Sequence, residues 1–328
     1  MSRGPAPTVV VAVVSTNTRE YLEPCLRSME PDARTGLAEV WVVDNASTDG
    51  SPEMVRDDFP WARLIASEEN LGYGPAINLV AGRTDSEWLA IANEDIELRS
   101  DTLERLLDAG ARHPGTAVVS PRLELRDGST QHSVHSFPTV PFTLGFNLRV
   151  HRLSRRLADR LCIEGAWDWS RPREVPWAIA TFLLVRRSAF EEVGGFVDNQ
   201  FMYGDDLDLG WRLKQAGWPA RHEPGATVFH VGHVAGRKAF GPDLRARWMA
   251  STYGWMARRR GIARTWTVAF INVLGASLSA AAYTVLARVR PGRFGRRAAM
   301  YRIWARAHRQ GLAAPRTLRS LGLAARRS

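Results

Sequence analysis

The chain has 328 residues, 45% of them hydrophobic, enough apolar material for a packed core and too much for a wholly disordered chain. Its two cysteines, Cys25 and Cys162, provide neither a disulfide framework nor a thiolate metal cluster, in keeping with a reducing compartment. The formal charge of +10 is unevenly placed: from Trp255 to the C-terminus there are 16 Arg and no Lys, Asp or Glu, which leaves the residues before it at −6.

The N-terminal Met1–Pro7 stretch has no long apolar run, and Val9–Val14 is too short and too β-branched for a secretory signal, so a strand is expected there instead. Ser15 to Thr18 then offers loop and capping residues before a helix from about Glu20 to Met29, with Tyr21, Leu22, Cys25, Leu26 and Met29 on one face. Val40–Val43 is a second strand ending in Asp44-Asn45-Ala46-Ser47, followed by a helix to about Phe59. Arg63–Ala66 is a third strand. A glycine-rich turn, Asn70 to Gly74, enters a helix that closes near Gly82, and Trp88–Ala92 is a fourth strand. Repeated βα units with short connections predict an α/β fold with a doubly wound, mostly parallel sheet.

In such a sheet the loops after the strands share one edge, where ligands bind. Thr16, Asp44, Asn70 to Gly74 and Asn93-Glu94-Asp95 are expected to converge there, although neither G-x-G-x-x-G nor a P-loop motif is present. Carboxylates at the end of an apolar strand suit a hard cation, Mg²⁺ or Mn²⁺, able to neutralise a diphosphate. A solvated acidic turn is the competing reading. Asp44 suits a base or ribose contact, and an Asx turn with Ser47 is its structural alternative. Further on, Asp205, Asp206 and Asp208 fall in the first turn of a helix with Leu209 and Leu213 on its apolar face and Gly217 closing it. Acidic residues there either act chemically or stabilise the helix start, by about 0.5–2 kcal/mol.

Taken in order, Val42–Ser51, Asn70–Gly74 with Asn78, Asn93-Glu94-Asp95, Thr181–Phe190 with Val193-Gly194-Gly195-Phe196, and Phe201–Leu209 resemble the signatures of family 2 glycosyltransferases of GT-A fold. Within that family they are most similar to bacterial rhamnosyltransferases of cell-wall and surface-polysaccharide assembly. The resemblance runs from about Thr8 to His233. It implies a nucleotide diphosphate sugar as donor, dTDP-rhamnose by preference, held by Thr16, Asp44, Asn70, Gly72, Asn78 and Asn93. It also implies a Mg²⁺ or Mn²⁺ ion on Asp95, with Glu94 and His230 as further ligands. Glu94 stands where many relatives carry Pro, as an added ligand or only an added charge. Inverting transfer requires a base for the acceptor hydroxyl, and the family's Glu-Asp pair corresponds to Asp205-Asp206, with Asp206 as the base. His233 follows His230 closely, and Arg237 or Lys238 is a candidate phosphate partner.

Residues 136–174 combine Phe137, Phe142, Phe146, Trp167 and Trp169 with Arg149, Arg152, Arg155, Arg156 and Arg160, and read either as an acceptor-side surface or as ordinary packing. The uncharged stretch 265–287 is long enough to cross a bilayer, but Asn272, Gly275, Ser277 and Ser279 interrupt it and both flanks are basic. An interfacial or re-entrant helix on an anionic membrane keeps both flanks on the cytoplasmic side of the plasma membrane; packing as a buried helix is the alternative. No nucleic-acid motif accompanies the basic tail, so no nucleic-acid partner is expected. The expected organisation is a GT-A domain over 1–240, with a nucleotide-sugar half at about 8–120 and an acceptor half at about 121–240, and a basic helical extension over 241–328. The acceptor is expected to be a glycan or a polyprenyl-diphosphate-linked sugar. A sugar-phosphate nucleotidyltransferase and a catalytically silent membrane scaffold are the rival readings.

Overall fold

The computed structural model describes residues 8–197, 203–232 and 241–320. Contacts divide the chain into two compact units, Met1–Ser136 with Glu164–Ala235, and Phe137–Ile163 with Gly236–Ser328. Where the sequence reading puts one boundary near 240, the contacts also draw Phe137–Ile163 into the second unit, because that segment packs on a C-terminal helix rather than on the sheet.

The first unit is built on one mixed sheet. Strands β1 (Val9–Ser15), β2 (Ala38–Asn45), β3 (Arg63–Ser67) and β4 (Trp88–Asn93) run parallel in the order β3-β2-β1-β4. Past them come β10 (Phe182–Arg186), antiparallel to β4, then β6 (Val118–Glu124), β11 (Ala220–His230) and β5 (Ile96–Leu98). Short β7 (Val134–His135) and β9 (Trp177–Ala178) pair with each other, and β8 (Arg173–Val175) adds to β11. Every residue of β1 is buried, as a β-branched run sandwiched between two strands and covered on both faces requires.

Helices α1 (Arg19–Arg34), α2 (Ser51–Asp58), α3 (Tyr73–Ala81), α4 (Thr102–Arg112), α7 (Arg187–Glu192) and α8 (Asp205–Gln215) accompany the sheet. α1 outlasts the expected end at Met29 despite Pro24 and Pro31 inside it. Each interior proline costs a helix about 3 kcal/mol. Leu22, Cys25, Leu26 and Met29, all fully buried against the sheet, offset that cost at about 1.5–3 kcal/mol for each large apolar side chain. The short apolar segment 226–229 before His230 lies in the last part of an eleven-residue β11.

In the second unit, α5 (Val140–Asn147) and α6 (Arg155–Arg160) lie in the internal segment. Helices α9 (Leu244–Arg260), α10 (Ile262–Val289), α11 (Pro291–Ala313) and α12 (Pro315–Ser320) make up the rest, and the uncharged 265–287 stretch is the body of α10. Tyr283 of α10 stacks on Tyr301 of α11 at 5.4 Å, and Tyr253 of α9 meets His308 of α11 at 2.8 Å.

Candidate active site

The parallel register sets Ser15 beside Asp44, and Val14 beside Asn93, so the loops after β1, β2 and β4 open on one edge. Thr16 is half-buried in the first of these. Asn17, next to it, adopts a left-handed conformation and accepts the Thr48 N–H at 2.8 Å, while its own N–H donates to Ser47 Oγ at 2.7 Å. The Arg19 N–H donates to Asp49 Oδ2 at 2.9 Å. The first two loops are thereby tied into one rigid frame.

Asp44 is 1% exposed. Its Oδ2 accepts the Ser47 N–H at 2.9 Å, the predicted Asx turn, but its buried Oδ1 has no hydrogen-bond partner among the described residues. A buried, unpartnered carboxylate oxygen is costly unless something fills it, and the turn at Oδ2 leaves Oδ1 open to such a contact. Asn70 is exposed, and its Oδ1 accepts the Gly72 N–H at 2.9 Å, shaping the turn into α3. Asn78 joins α3 to the Val193–Phe196 turn, its amide donating to Phe196 O at 2.8 Å and accepting the Phe196 N–H at 2.9 Å.

Asn93, Glu94 and Asp95 form the turn between β4 and β5. The Asn93 N–H donates to Thr181 O at 2.9 Å, and Glu94 and Asp95 are buried. β11, antiparallel to β5, places buried His230 so that its Nε2 lies 3.2 Å from Asp95 Oδ1. The other ring nitrogen, Nδ1, donates to Gln131 Oε1 at 2.5 Å. With its proton on Nδ1, the imidazole presents a lone pair at Nε2, so that two acceptor atoms face each other. A cation between them, proton or metal, satisfies both.

Around this pair the field is negative. Tyr73, whose hydroxyl donates to Ala180 O at 2.7 Å, has its pKa raised well above the usual value by burial and then by Asp206, Glu94, Asp205 and Asp95. Tyr203 is pushed to about 12 by burial and then by Asp206 and Asp95. Cys25 is raised by burial and then by Glu94 and Asp95. The carboxylates after β4 and those opening α8 therefore act on the same side chains.

Among the described residues no three His, Cys, Asp or Glu side chains converge on one cation position, so Asp95, Glu94 and His230 do not make a closed protein cage. Two protein donors within one negative field instead suit a Mg²⁺ or Mn²⁺ ion whose other ligands are water and substrate phosphates, the usual pattern for these ions. The donor set fits.

Asp206 is held by main-chain donors: Oδ1 accepts the Leu207 N–H at 2.8 Å and Oδ2 the Ala180 N–H at 3.3 Å. Burial still raises its pKa above the usual carboxylate value, these bonds only partly offsetting the loss of water. Tyr203 just before α8 holds a left-handed backbone, and with Asn17 and Ala46 it clusters strained non-glycine positions in the loops at this edge. Asp208 is structural: 2% exposed at its side chain, it pairs with Arg212 at 2.7 Å, and Arg212 donates to Val193 O and Gly195 O at 2.5 and 2.6 Å. Trp167 is buried against His132 and His222, whereas Trp169 is part-exposed with Arg122 over its ring at 4.3 Å. Phe137, Phe142 and Phe146 belong to the second unit. His233, Arg237 and Lys238 lie outside the described residues.

Gln131, Asn17 and Arg187 belong to this framework without being singled out by the sequence motifs. The last is 7% exposed and bonds Ala81 O, Ser86 O and the Thr84 and Ser86 hydroxyls. The left-handed tendency of Asn within a loop was a signal for Asn17; a lone Gln and a lone Arg carry none.

A half-parallel sheet of this order, with acidic loops on its carboxyl edge, is the GT-A arrangement, and the profile of Glycosyl transferase family 2 matches residues 10–194, so the chain belongs to that family and is a glycosyltransferase. It is 32% identical over 243 residues to N-acetylglucosaminyl-diphospho-decaprenol L-rhamnosyltransferase of Mycobacterium tuberculosis, covering 69% of this chain and 77% of that one. It is 28% identical to rhamnosyltransferase WbbL of Escherichia coli over 159 residues, 48% of this chain and 56% of the relative. Among solved structures, mannosyltransferase PcManGT from Pyrobaculum calidifontis, in complex with GDP-Man and Mn²⁺, superposes with a TM-score of 0.58 at 19% identity, covering 96% of this chain and 87% of that one. GalNAc-T7 with UDP, GalNAc and Mn²⁺ gives 0.53 at 13%, over 80% and 52%.

Proposed function

We propose that the first unit transfers a sugar, with inversion at its anomeric carbon, from a nucleotide diphosphate to a hydroxyl of a polyprenyl-diphosphate-linked glycan in cell-envelope synthesis. The donor we favour is dTDP-rhamnose, and the place of work is the cytoplasmic face of the plasma membrane. The observation that carries this reading is that two acidic groups meet on one stretch of main chain: Asp206, opening α8, accepts the Ala180 N–H, and Asn93, leading into Glu94-Asp95 after β4, donates to the adjoining Thr181 O. Similarity to the mycobacterial rhamnosyltransferase supports the choice of donor and acceptor.

In this mechanism Asp44 Oδ1 accepts a hydrogen bond from the base or ribose, and Thr16, Gly72 and Asn93 border the nucleotide. Asp95 and His230 are the residues that would hold a divalent cation, and its chemistry there is neutralisation of the diphosphate's charge. Asp206, its pKa raised above the usual carboxylate value by burial, takes the proton of the acceptor hydroxyl. The acceptor oxygen then forms its bond to the anomeric carbon as the bond to the diphosphate oxygen breaks, and the electron pair leaves with the nucleotide.

Calorimetry of dTDP, UDP and GDP with Mn²⁺, on wild type and Asp95→Asn, tests the reading. Metal-dependent binding of dTDP that the substitution removes is the expected result. Preference for another nucleotide overturns the donor, and binding that ignores both the metal and the substitution overturns the site.

A further inference from the structure

Helix α10 is long and apolar enough to cross a membrane. Its neighbours within the second unit point to a different placement. Asn272, Gly275, Ser279 and Tyr283 recur every three or four residues and so form one stripe. The internal segment covers that stripe. Asn147 Nδ2 donates to Asn272 Oδ1 at 3.0 Å, and Arg149 donates to Ser279 Oγ at 3.3 Å and to Tyr283 Oη at 3.2 Å. A Cβ on Gly275 would overlap the Asn147 amide. Three of the four interruptions that weaken α10 as a span, Asn272, Gly275 and Ser279, are thus its contact with 140–153.

The opposite stripe of α10, with Trp266, Phe270, Leu274, Leu278, Val285 and Val289, is exposed. The covering segment is exposed in the same manner: Leu148 is 67% and Leu153 85% accessible, amid Arg149, Arg152, Arg155 and Arg156. Helix α11 packs along α10, with Tyr283 against both Phe294 and Tyr301 and Arg302 donating to Thr284 at 3.3 Å. α11 carries six Arg: 293, 296, 297, 302, 306 and 309. If α10 crossed the bilayer, its partner would carry those guanidiniums into hydrocarbon, where they are costly. Lying in the interface, α10 sinks its apolar stripe while the Arg side chains stay at headgroup level.

We propose that α10 lies in the plane of an anionic lipid leaflet and that Leu148 and Leu153 insert with it, an internal segment and a C-terminal helix making one lipid-docking face. The inference deepens, and rests on, the reading of the chain as an enzyme of lipid-linked acceptors. Charge selects the occupant. The second unit holds 25 of the 44 basic side chains and two of the 34 acidic ones, a formal +23. A second copy would bring an equal positive charge against it, whereas an anionic leaflet supplies both the opposite charge and an apolar layer.

The test is flotation of the full-length protein with phosphatidylcholine vesicles, with and without phosphatidylglycerol, comparing wild type with the exposed double substitution Leu148→Glu/Leu153→Glu. Depth is read from spin labels on Phe270→Cys, Leu278→Cys and Val285→Cys, which is practical because Cys25 and Cys162 are both buried. The expected result is binding that needs the anionic lipid and is weakened about tenfold or more by the double substitution, with the three labels at one shallow depth. Unchanged vesicle binding in the double variant overturns the role of 140–153. A depth profile that crosses the bilayer midplane overturns the in-plane placement. Dimers in place of vesicle binding, dissociated by the same substitutions, overturn the lipid as occupant. Calorimetry with dTDP on the same proteins separates the failures: retained nucleotide binding without vesicle binding removes the docking face and leaves the transferase reading standing.

Discussion

The two units treat apolar side chains in opposite ways. Of the 17 large hydrophobic residues exposed among the described ones, Trp169 alone belongs to the first unit, and all the others to the second. Charge divides with them, because the second unit's +23 leaves the first at −13. The first unit buries nearly all of its large apolar side chains among the described residues, and its Glu94, Asp95, Asp205 and Asp208 are buried with them. The second has a surface that water alone does not suit. The two proposed kinds of recognition follow this division, one resting on buried carboxylates and the other on exposed Leu, Phe and Arg.

Substitutions in one unit that leave the other's behaviour intact would sharpen this contrast, and the largest effect is expected at Asp206. Asp206→Asn should lower sugar transfer by about 10²–10⁴-fold, the usual contribution of a positioned base, with nucleotide affinity and vesicle binding retained. In the wild type, transfer should rise with pH through an ionisation above the ordinary carboxylate value, since the base is active only when deprotonated. Next comes Asp208→Ala, which strands Arg212 in a buried setting; breaking such a pair costs about 3–5 kcal/mol, read as a lower midpoint in urea for the first unit's fluorescence.

A smaller change is expected from Gln131→Leu. Loss of the acceptor that fixes the His230 tautomer should weaken Mn²⁺ binding about 10–100-fold, measured by Mn²⁺ paramagnetic resonance with dTDP present, and vesicle binding should not respond. The smallest effect breaks the contrast, because both units share it. Burial lowers the pKa of His222 in the first unit and of His308 in the second to about 4, from the ordinary 6.5. The folded state holds these rings neutral while the unfolded chain takes up protons below 6.5, so stability is complete above that pH and falls as pH drops toward 4. Urea midpoints should be lower at about pH 5 than at about pH 7 in both units, and His222→Gln should lessen the trend in the first alone, where His135, lowered to about 3 by burial, keeps part of it.

Much of the first unit was legible in the sequence because a β-branched run followed by a capped, one-faced helix has few other ways to bury itself. Val9–Val14, Val40–Val43 and Trp88–Ala92 are strands for that reason, and the edge they define follows from their being parallel. Element ends were less legible. The helix expected to close near Met29 runs on past Pro31 to Arg34, carried by four buried side chains. Partners distant in the chain were not legible at all: Gln131 meets His230 across 99 positions, and Asn147 meets Asn272 across 125. The aromatic and basic mixture of 136–174 is the clearest example, for its two halves serve different units and no local pattern marks the division at 163.

Asn78 grips Phe196 by its peptide N–H and carbonyl, and Arg212 grips the Val193 and Gly195 carbonyls close by. All of these bonds recognise the path of the main chain and are indifferent to the side chains it carries. Of the two glycines only Gly195 is constrained by space, since a Cβ there would stand 2.5 Å from Asn78 Oδ1, while at Gly194 a Cβ would meet nothing within 4 Å. Sequence drift in this turn should therefore be free at Val193, limited at Gly194 only by its left-handed backbone, and forbidden at Gly195, so that related enzymes can vary the turn's chemistry without altering where it runs.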